Sequence, residues 1–425
     1  MSQPELVTIE VASKLLNLSK DTLRRWDKKK LLNVHRIGTN HRLFELKDLI
    51  MLKEQGESSG EYQILRSAKT KYTVLETFTG AGGMALGFKH AGLQSKICVE
   101  IDKDSVATLR ANHDWEVIHS DIRKVDFNPY KGQFDIVAGG FPCQAFSYAG
   151  KGRGFEDARG TLFYDFARTV KEVQPKIFVA ENVRGLLAHE EGRTLQTILS
   201  VMDSINYRVT VGVAKSQFYD VPQKRERLFI IGVRKDLDIP FYFPRQKAYT
   251  VSLGSALVDV PDGPGMAYSE KKKTIMDMIP EGGYWRDLPE DLQKEFMGKS
   301  YYLGGGKTGM ARRLSSKEPS LTLTCNPAQK QTERCHPYET RPLSVREYAR
   351  VQTFPDDWKF SGSVSSQYRQ IGNAVPVNLA YHIGKCLIAM LKGKPDLASM
   401  MQLPPADLAQ ALPGFQLPIE FGDVA

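Results

Sequence analysis

The chain has no uninterrupted apolar run of the roughly 18 residues that a membrane span needs. Its apolar stretches are short and strand-like, as at residues 228–233, so no membrane partner is expected. Residues 1–10 lack the basic-then-apolar layout of a secretory signal, which makes the cytoplasm the expected location. There is no Cys-x-x-Cys pair, and five widely spread cysteines argue against a disulfide framework and for a reducing compartment. Cys325, Cys335 and His336 are the only cluster of metal-ligand residue types. They have no fourth partner at zinc-like spacing, so no metal is expected. No internal repeat is present.

What the chain does have is length for two or three domains and a surplus of positive charge. Its 425 residues carry 58 Lys and Arg against 49 Asp and Glu, a formal net charge of +9. That favours a polyanionic partner without establishing one. Composition divides the sequence. Residues 1–55 are basic and helix-rich, and residues 56–71 are polar and read as a linker. From Tyr72, short β-rich runs (TVLETF, KICVEID, FDIVAGG, KIFVAEN, RLFIIGV) alternate with helical stretches. This alternation predicts an α/β fold with a mainly parallel sheet over residues 72–240. The rhythm fails over residues 241–336, rich in Gly, Pro, Lys and aromatics, which predicts an inserted loop-rich domain. Regular patterning returns over residues 337–393. Residues 394–425, with several prolines, read as a loose or docked tail.

Phe78-Thr79-Gly80-Ala81-Gly82-Gly83 follows a strand and opens a helix. Such a turn lets a ligand approach backbone N–H groups. Glu100 closes the next strand at about the spacing where an acid grips ribose hydroxyls, and Asp121-Ile122 ends a further apolar run. Together they point to a nucleoside-containing cofactor. Cys143, after Gly139-Gly140-Phe141-Pro142, stands at a strand terminus, where a thiolate could act as a nucleophile. Glu181 ends KIFVAEN at the same sheet edge, with a proton-donor role in reach. Gln223-Lys224-Arg225-Glu226-Arg227 brings positive charge near the same place.

FTGAGG, PCQ, ENV, QKRERLFIIG, RPLSVREYARVQTFPD and QIGNAVP, in that order, resemble the cytosine-C5 DNA methyltransferases. The resemblance spans roughly residues 72–390. It implies a Rossmann-like S-adenosylmethionine-dependent methyltransferase sheet, with residues 241–336 as an inserted target-recognition domain. It further implies methylation of C5 of a flipped cytosine in a specific duplex DNA sequence, as in a restriction-modification system. A cognate endonuclease would then act on the same site without stable binding. Cys143 would be the nucleophile, Glu181 would act on the base N3, Arg227 would contact O2 and Arg225 would support the site. Phe78 would stack on adenine, Glu100 would hold ribose, and Asp121 with Ile122 would bind the adenine edge. Gly80, Gly82, Ile101 and Asn373 complete the expected cofactor site. Residues 144–159 would close over the flipped base. Arg312, Arg313, Thr322, Thr324 and Gln329 are candidates for base contact. Two other readings remain open: a DNA-binding transcriptional regulator that keeps a methyltransferase-like fold, and an RNA cytosine-C5 methyltransferase.

Residues 1–55 carry four more basic than acidic side chains. Val11, Ala12, Leu15 and Leu16 form one helical face after Thr8, and Ser19 can cap a second helix that turns Leu23 and Trp26 inward. Residues 34–44 suggest a hairpin wing, and residues 46–53 a short helix. TLRRW and HRLF resemble the winged helix-turn-helix of the MerR and excisionase type, which implies DNA contact.

Overall fold

The computed structural model describes residues 6–16, 20, 23, 24, 27, 34–37, 41–46, 49, 59–142 and 162–406. Contacts divide the chain into two units, residues 1–60 with 247–250 and residues 61–246 with 251–425. In the first, β1 (Leu6–Thr8) leads into α1 (Ile9–Leu16), and β2 (Val34–Ile37) pairs antiparallel with β3 (His41–Glu45). This pair is the expected hairpin. β1 lies antiparallel on the other edge of β3, and its three residues were too few for an alternation to be read. Ala12, Leu23, Phe44 and Leu49 are fully buried together. Asp27 holds the hairpin through Arg36 at 2.9 Å and Arg42 at 2.5 Å. Trp26, the side chains of Leu15 and Leu16, and most of residues 46–53 lie outside the described residues.

In the second unit seven strands form one sheet: β4 (Thr73–Thr77), β5 (Gln94–Glu100), β6 (Glu116–His119), β7 (Ile136–Gly139), β8 (Ile177–Val183), β9 (Tyr207–Lys215) and β10 (Glu226–Arg234). Their order is β9-β10-β8-β7-β4-β5-β6. From β8 through β6 neighbours are parallel. The crossovers pass through α2 (Gly83–Ala91), α3 (Lys103–Asn112) and α4 (Leu162–Val173), while α5 (Arg193–Ser204) links β8 to β9. The sheet is therefore mixed: β10 runs antiparallel to both β8 and β9. The connection from β9 to β10 has too little chain to return to the far edge, so the strand reverses direction. Strand order reverses between β4 and β7, which opens a crevice beyond their carboxyl ends.

The insertion contains α6 (Glu270–Asp277) and α7 (Glu290–Met297) around a small core that includes Met276, Ile279, Trp285 and Met310. It begins later than its composition suggested. Phe241–Pro244, here β11, is fully buried and pairs antiparallel with β12 (Met400–Leu403). Residues 241–244 thus belong to the catalytic layer, and residues 400–406 of the tail are docked; residues 407–425 lie outside the described residues. Nor is all of 56–71 a free linker. Ser67 N donates to His90 O and Thr70 N to Gly92 O, both at 2.7 Å. A polar composition does not prevent a segment from docking through its backbone.

The chain returns through α8 (Val345–Val351), α9 (Val364–Asn373) and α10 (Val377–Lys392). α10 crosses α2 at very short range. A Cβ added at Gly87 would stand 2.4 Å from the Ala380 Cβ, and one at Gly384 would stand 2.7 Å from the Ala91 Cβ. Residues of Val364–Lys392 have the length and apolarity of a membrane-crossing helix, but 78% of that apolar window is buried inside the protein.

Candidate active site

One cavity of about 980 Å3 lies beyond the carboxyl ends of β4, β5, β7 and β8. Phe78, Gly80, Glu100, Ile101, Asp121, Ile122, Glu181, Arg225, Arg227 and Asn373 all line it, together with Gly140, Phe141 and Pro142. Topology explains the gathering. The parallel strands end at this edge, whereas antiparallel β10 starts there, so Arg227 pairs in register with Val183 and stands beside Glu181. Cys143 and residues 144–159 lie outside the described residues. The chain leading to Cys143 is described, and a Cβ at Gly140 would sit 3.0 Å from Glu181 Oε2.

Arg227 Nε meets Glu181 Oε1 at 2.7 Å. Burial raises the Glu181 carboxyl above its ordinary range, against the pull of Arg227 and Arg225. Burial likewise disfavours the charge on Arg227. Arg225 is 2% exposed and donates to Leu323 O at 3.1 Å and Gly372 O at 2.9 Å. It therefore joins the insertion's strand end to the residue before Asn373. The Glu181–Arg227 pair keeps a carboxyl and a guanidinium close, each side chain 12% exposed, a geometry suited to the polar edge of a planar base.

The turn after β4 is shaped by backbone conformation. Phe78 has φ 54° and Gly80 φ 55°. A Cβ at Gly80 would meet nothing within 4 Å, so the turn faces open space there. Glu100 Oε2 accepts Gly80 N at 2.7 Å, while its Oε1 accepts Ile101 N and Asp102 N at 2.8 Å. Ile101, 63% exposed, offers an apolar plate at the rim. Asp121 accepts Arg123 N at 3.0 Å, and the Arg123 side chain holds its carboxyl down to about 2. Asn373 Oδ1 accepts from Cys325 Sγ at 3.1 Å. Gly82 is not brought to the cavity: its missing Cβ lies 2.8 Å from Leu109 and 3.2 Å from Trp358, a packing position behind the turn.

Residues 72–389 match the family model for C-5 cytosine-specific DNA methylase. The chain belongs to the C-5 cytosine-specific DNA methylases. It is an enzyme that places a methyl group on C5 of cytosine in DNA, and S-adenosylmethionine is the donor general to its family. Residues 8–44 match the MerR family regulatory protein model. The Type II methyltransferase M.Eco47II of Escherichia coli is 54% identical, covering 92% of this chain and 97% of that one. M.PspPI of Psychrobacter is 57% identical over 76% of this chain and 80% of its own. Among solved structures, a prophage-encoded DNA modification methyltransferase of E. coli aligns at TM-score 0.56 and 25% identity, covering 76% of this chain and all of that one. A Spodoptera frugiperda DNMT2 mutant, at TM-score 0.53 and 16% identity, shares the fold over 75% of this chain.

Two features of this methylase's cavity escaped sequence reasoning. Glu76, 1% exposed, lines it with an unpartnered Oε2, and burial pushes its carboxyl well above the ordinary range. The available signal was an acid inside an otherwise apolar strand, just before a glycine-rich turn. Thr322, Thr324 and Gln329, considered for base contact, share the cavity, and so does Cys325 between them. Arg313 is corrected as a base reader. It is buried and donates to Ile279, Met276, His336 and Glu339 carbonyls and to Thr340, which commits its guanidinium to the insertion's own fold. Cys335 and Cys325 face different partners, the Glu339 carbonyl and Asn373.

Proposed function

We propose that this methylase modifies cytosine in one specific duplex DNA sequence, as the modification partner of a restriction endonuclease that acts on the same site without stable binding. Its place of action is the cytoplasm. The observation that carries this reading is the buried Glu181–Arg227 pair, which shares one cavity with the glycine turn and with Glu100. A stacked cytosine cannot reach that depth, so the target base flips out.

The cavity fits S-adenosylmethionine. Gly80 leaves room for the ligand, Phe78 and Ile101 offer apolar surface for adenine, and Glu100 retains lone pairs for ribose hydroxyls. Asp121 and Ile122 stand at the adenine edge, Asn373 lies on the wall, and the free oxygen of Glu76 suits an ammonium group. When bound, the cofactor supplies an electrophilic methyl group. The Cys143 thiolate adds to C6 of cytosine and makes C5 nucleophilic. Glu181, whose carboxyl burial raises above its ordinary range, hydrogen-bonds or protonates N3 as charge develops in the ring. Arg227 holds Glu181 and contacts O2, and Arg225 braces both walls. Once C5 carries the methyl group, its proton passes to solvent, the pair of that C–H bond restores the C5–C6 double bond, and the C6–S bond breaks to release the Cys143 thiolate. Replacement Cys143→Ser should abolish transfer of labelled methyl to DNA while cofactor binding persists; near-normal turnover would overturn the assignment.

The MerR-type match favours a second role for the N-terminal unit, DNA contact apart from the target base. Removing residues 1–55 should weaken affinity for the DNA upstream of the gene while methylation by residues 56–425 continues. Unchanged DNA affinity and regulation would reject that role.

A further inference from the structure

A second cavity, of about 880 Å3, opens at the opposite edge of the sheet, where β5 and β6 begin. Residues 66–69, the ends of α2 and α3, the start of β5 and residues 355–359 build it. Arg66, Lys69, Lys89, Lys96 and Lys359 line it against only Asp114 and Asp357. Lys89 sits at the carbonyl end of α2, where a cation is favoured, and donates to His113 Nδ1 at 2.9 Å. Helix ends do not account for Arg66, Lys69, Lys96 or Lys359, and none of these four has an ion-pair partner among the described residues.

Two histidines beside these cations are held neutral chiefly by burial, with nearby cations adding to it. Burial, then Arg66 and Lys89, brings the His90 imidazole down to about 4. Burial, then Lys89, does the same to His113. An indole surface adjoins the cations: Trp115 lies 4.1 Å from His113 between ring centres, and Trp358 forms part of the floor. Trp358 also packs behind Gly82, at the back of the cofactor turn.

We propose that this cavity binds a small molecule bearing an oligophosphate chain, with the phosphates on Lys69, Lys96 and Lys359. Charge complementarity selects the anion, and the open cavity, with its exposed cations, has the volume of a nucleotide-sized guest. The seven residues of β5 separate this cavity from the flipped-base cavity by about 23 Å, so the two are distinct sites.

The test titrates the full chain calorimetrically with tripolyphosphate, with ATP and with a duplex lacking the target site. Either phosphate compound should bind, and the double variant Lys69→Glu/Lys359→Glu should lose about tenfold or more in affinity. Its affinity for S-adenosylhomocysteine should stay unchanged. ATP binding more tightly than tripolyphosphate assigns a nucleotide, and equal affinity assigns the phosphate chain alone. Absence of binding at millimolar concentration overturns the proposal. So does binding that survives the double variant, is displaced by S-adenosylhomocysteine, or is confined to the duplex. If the variant does not fold, the unaltered protein still decides. Bound tripolyphosphate should raise the titration midpoint of His113 from about 4, and an unmoved midpoint overturns the proposal.

Discussion

The two cavities lie on opposite edges of one sheet and treat charge differently. At the carboxyl edge, Glu181 is matched to Arg227, Asp121 to Arg123, and Glu100 to three backbone N–H groups. At the amino edge, cations line the walls without carboxylate partners. Parallel strands explain part of the contrast, because their carboxyl ends meet helix starts and glycine turns, where anionic side chains and ligands are favoured. The buried Glu181–Arg227 pair holds a fixed geometry for chemistry. Exposed unpaired cations hold none, and are suited to capture an anion.

The largest expected effect on this contrast comes from breaking the buried pair. Glu181→Gln should slow methyl transfer by about 100-fold or more, the scale of a lost acid–base group. Affinity for duplex DNA should stay within about threefold. A loss in affinity with an unchanged single-turnover rate would remove Glu181 from the chemistry. Gly80→Ala comes next. A Cβ at φ 55° is strained by about 1–2 kcal/mol and points into the open cavity. Cofactor affinity should fall by about tenfold, read by S-adenosylhomocysteine titration, and unchanged affinity would show that the turn does not approach the ligand.

A smaller effect tests a charge pair away from both cavities. Arg341 holds Glu347 at 2.7 and 2.8 Å, and Ser344 N donates to it at 2.6 Å. Despite burial, these groups lower the Glu347 carboxyl below its ordinary 4.5. A depressed folded value contributes stability above pH 4.5, and that stability is lost as pH falls through the folded value. Glu347→Gln should therefore cost about 1–3 kcal/mol at pH 7. The gap in thermal midpoint from the unaltered protein should close in acid, and a gap independent of pH would contradict the charged pair.

Much of the catalytic unit was legible in local sequence. Five β-rich runs separated by helical spacing announce the α/β layer, and FTGAGG after a strand announces the turn that lines the larger cavity. The limits of the insertion were less legible. FYFP at residues 241–244 looked like its beginning because its partner, β12, comes only at residues 400–403. Local patterns cannot register such pairing. Gly82 shows the same limit: its spacing matches a ligand turn, yet its space is taken by Leu109 and Trp358. Arg313 looked like a base reader because composition cannot show that five carbonyl and hydroxyl acceptors already surround it.

By itself, the sequence determined the order of chemistry-bearing segments and the strand–turn–helix form of the cofactor half. Both depend on residues close in the chain. Tertiary structure alone decided that Arg227 meets Glu181, because that contact needs β10 to run backwards between β8 and β9. It also buried Glu76 with one oxygen unpartnered and collected distant lysines into a second cavity. Strand direction and the docking of remote segments set which side chains share a space, and no local pattern encodes either.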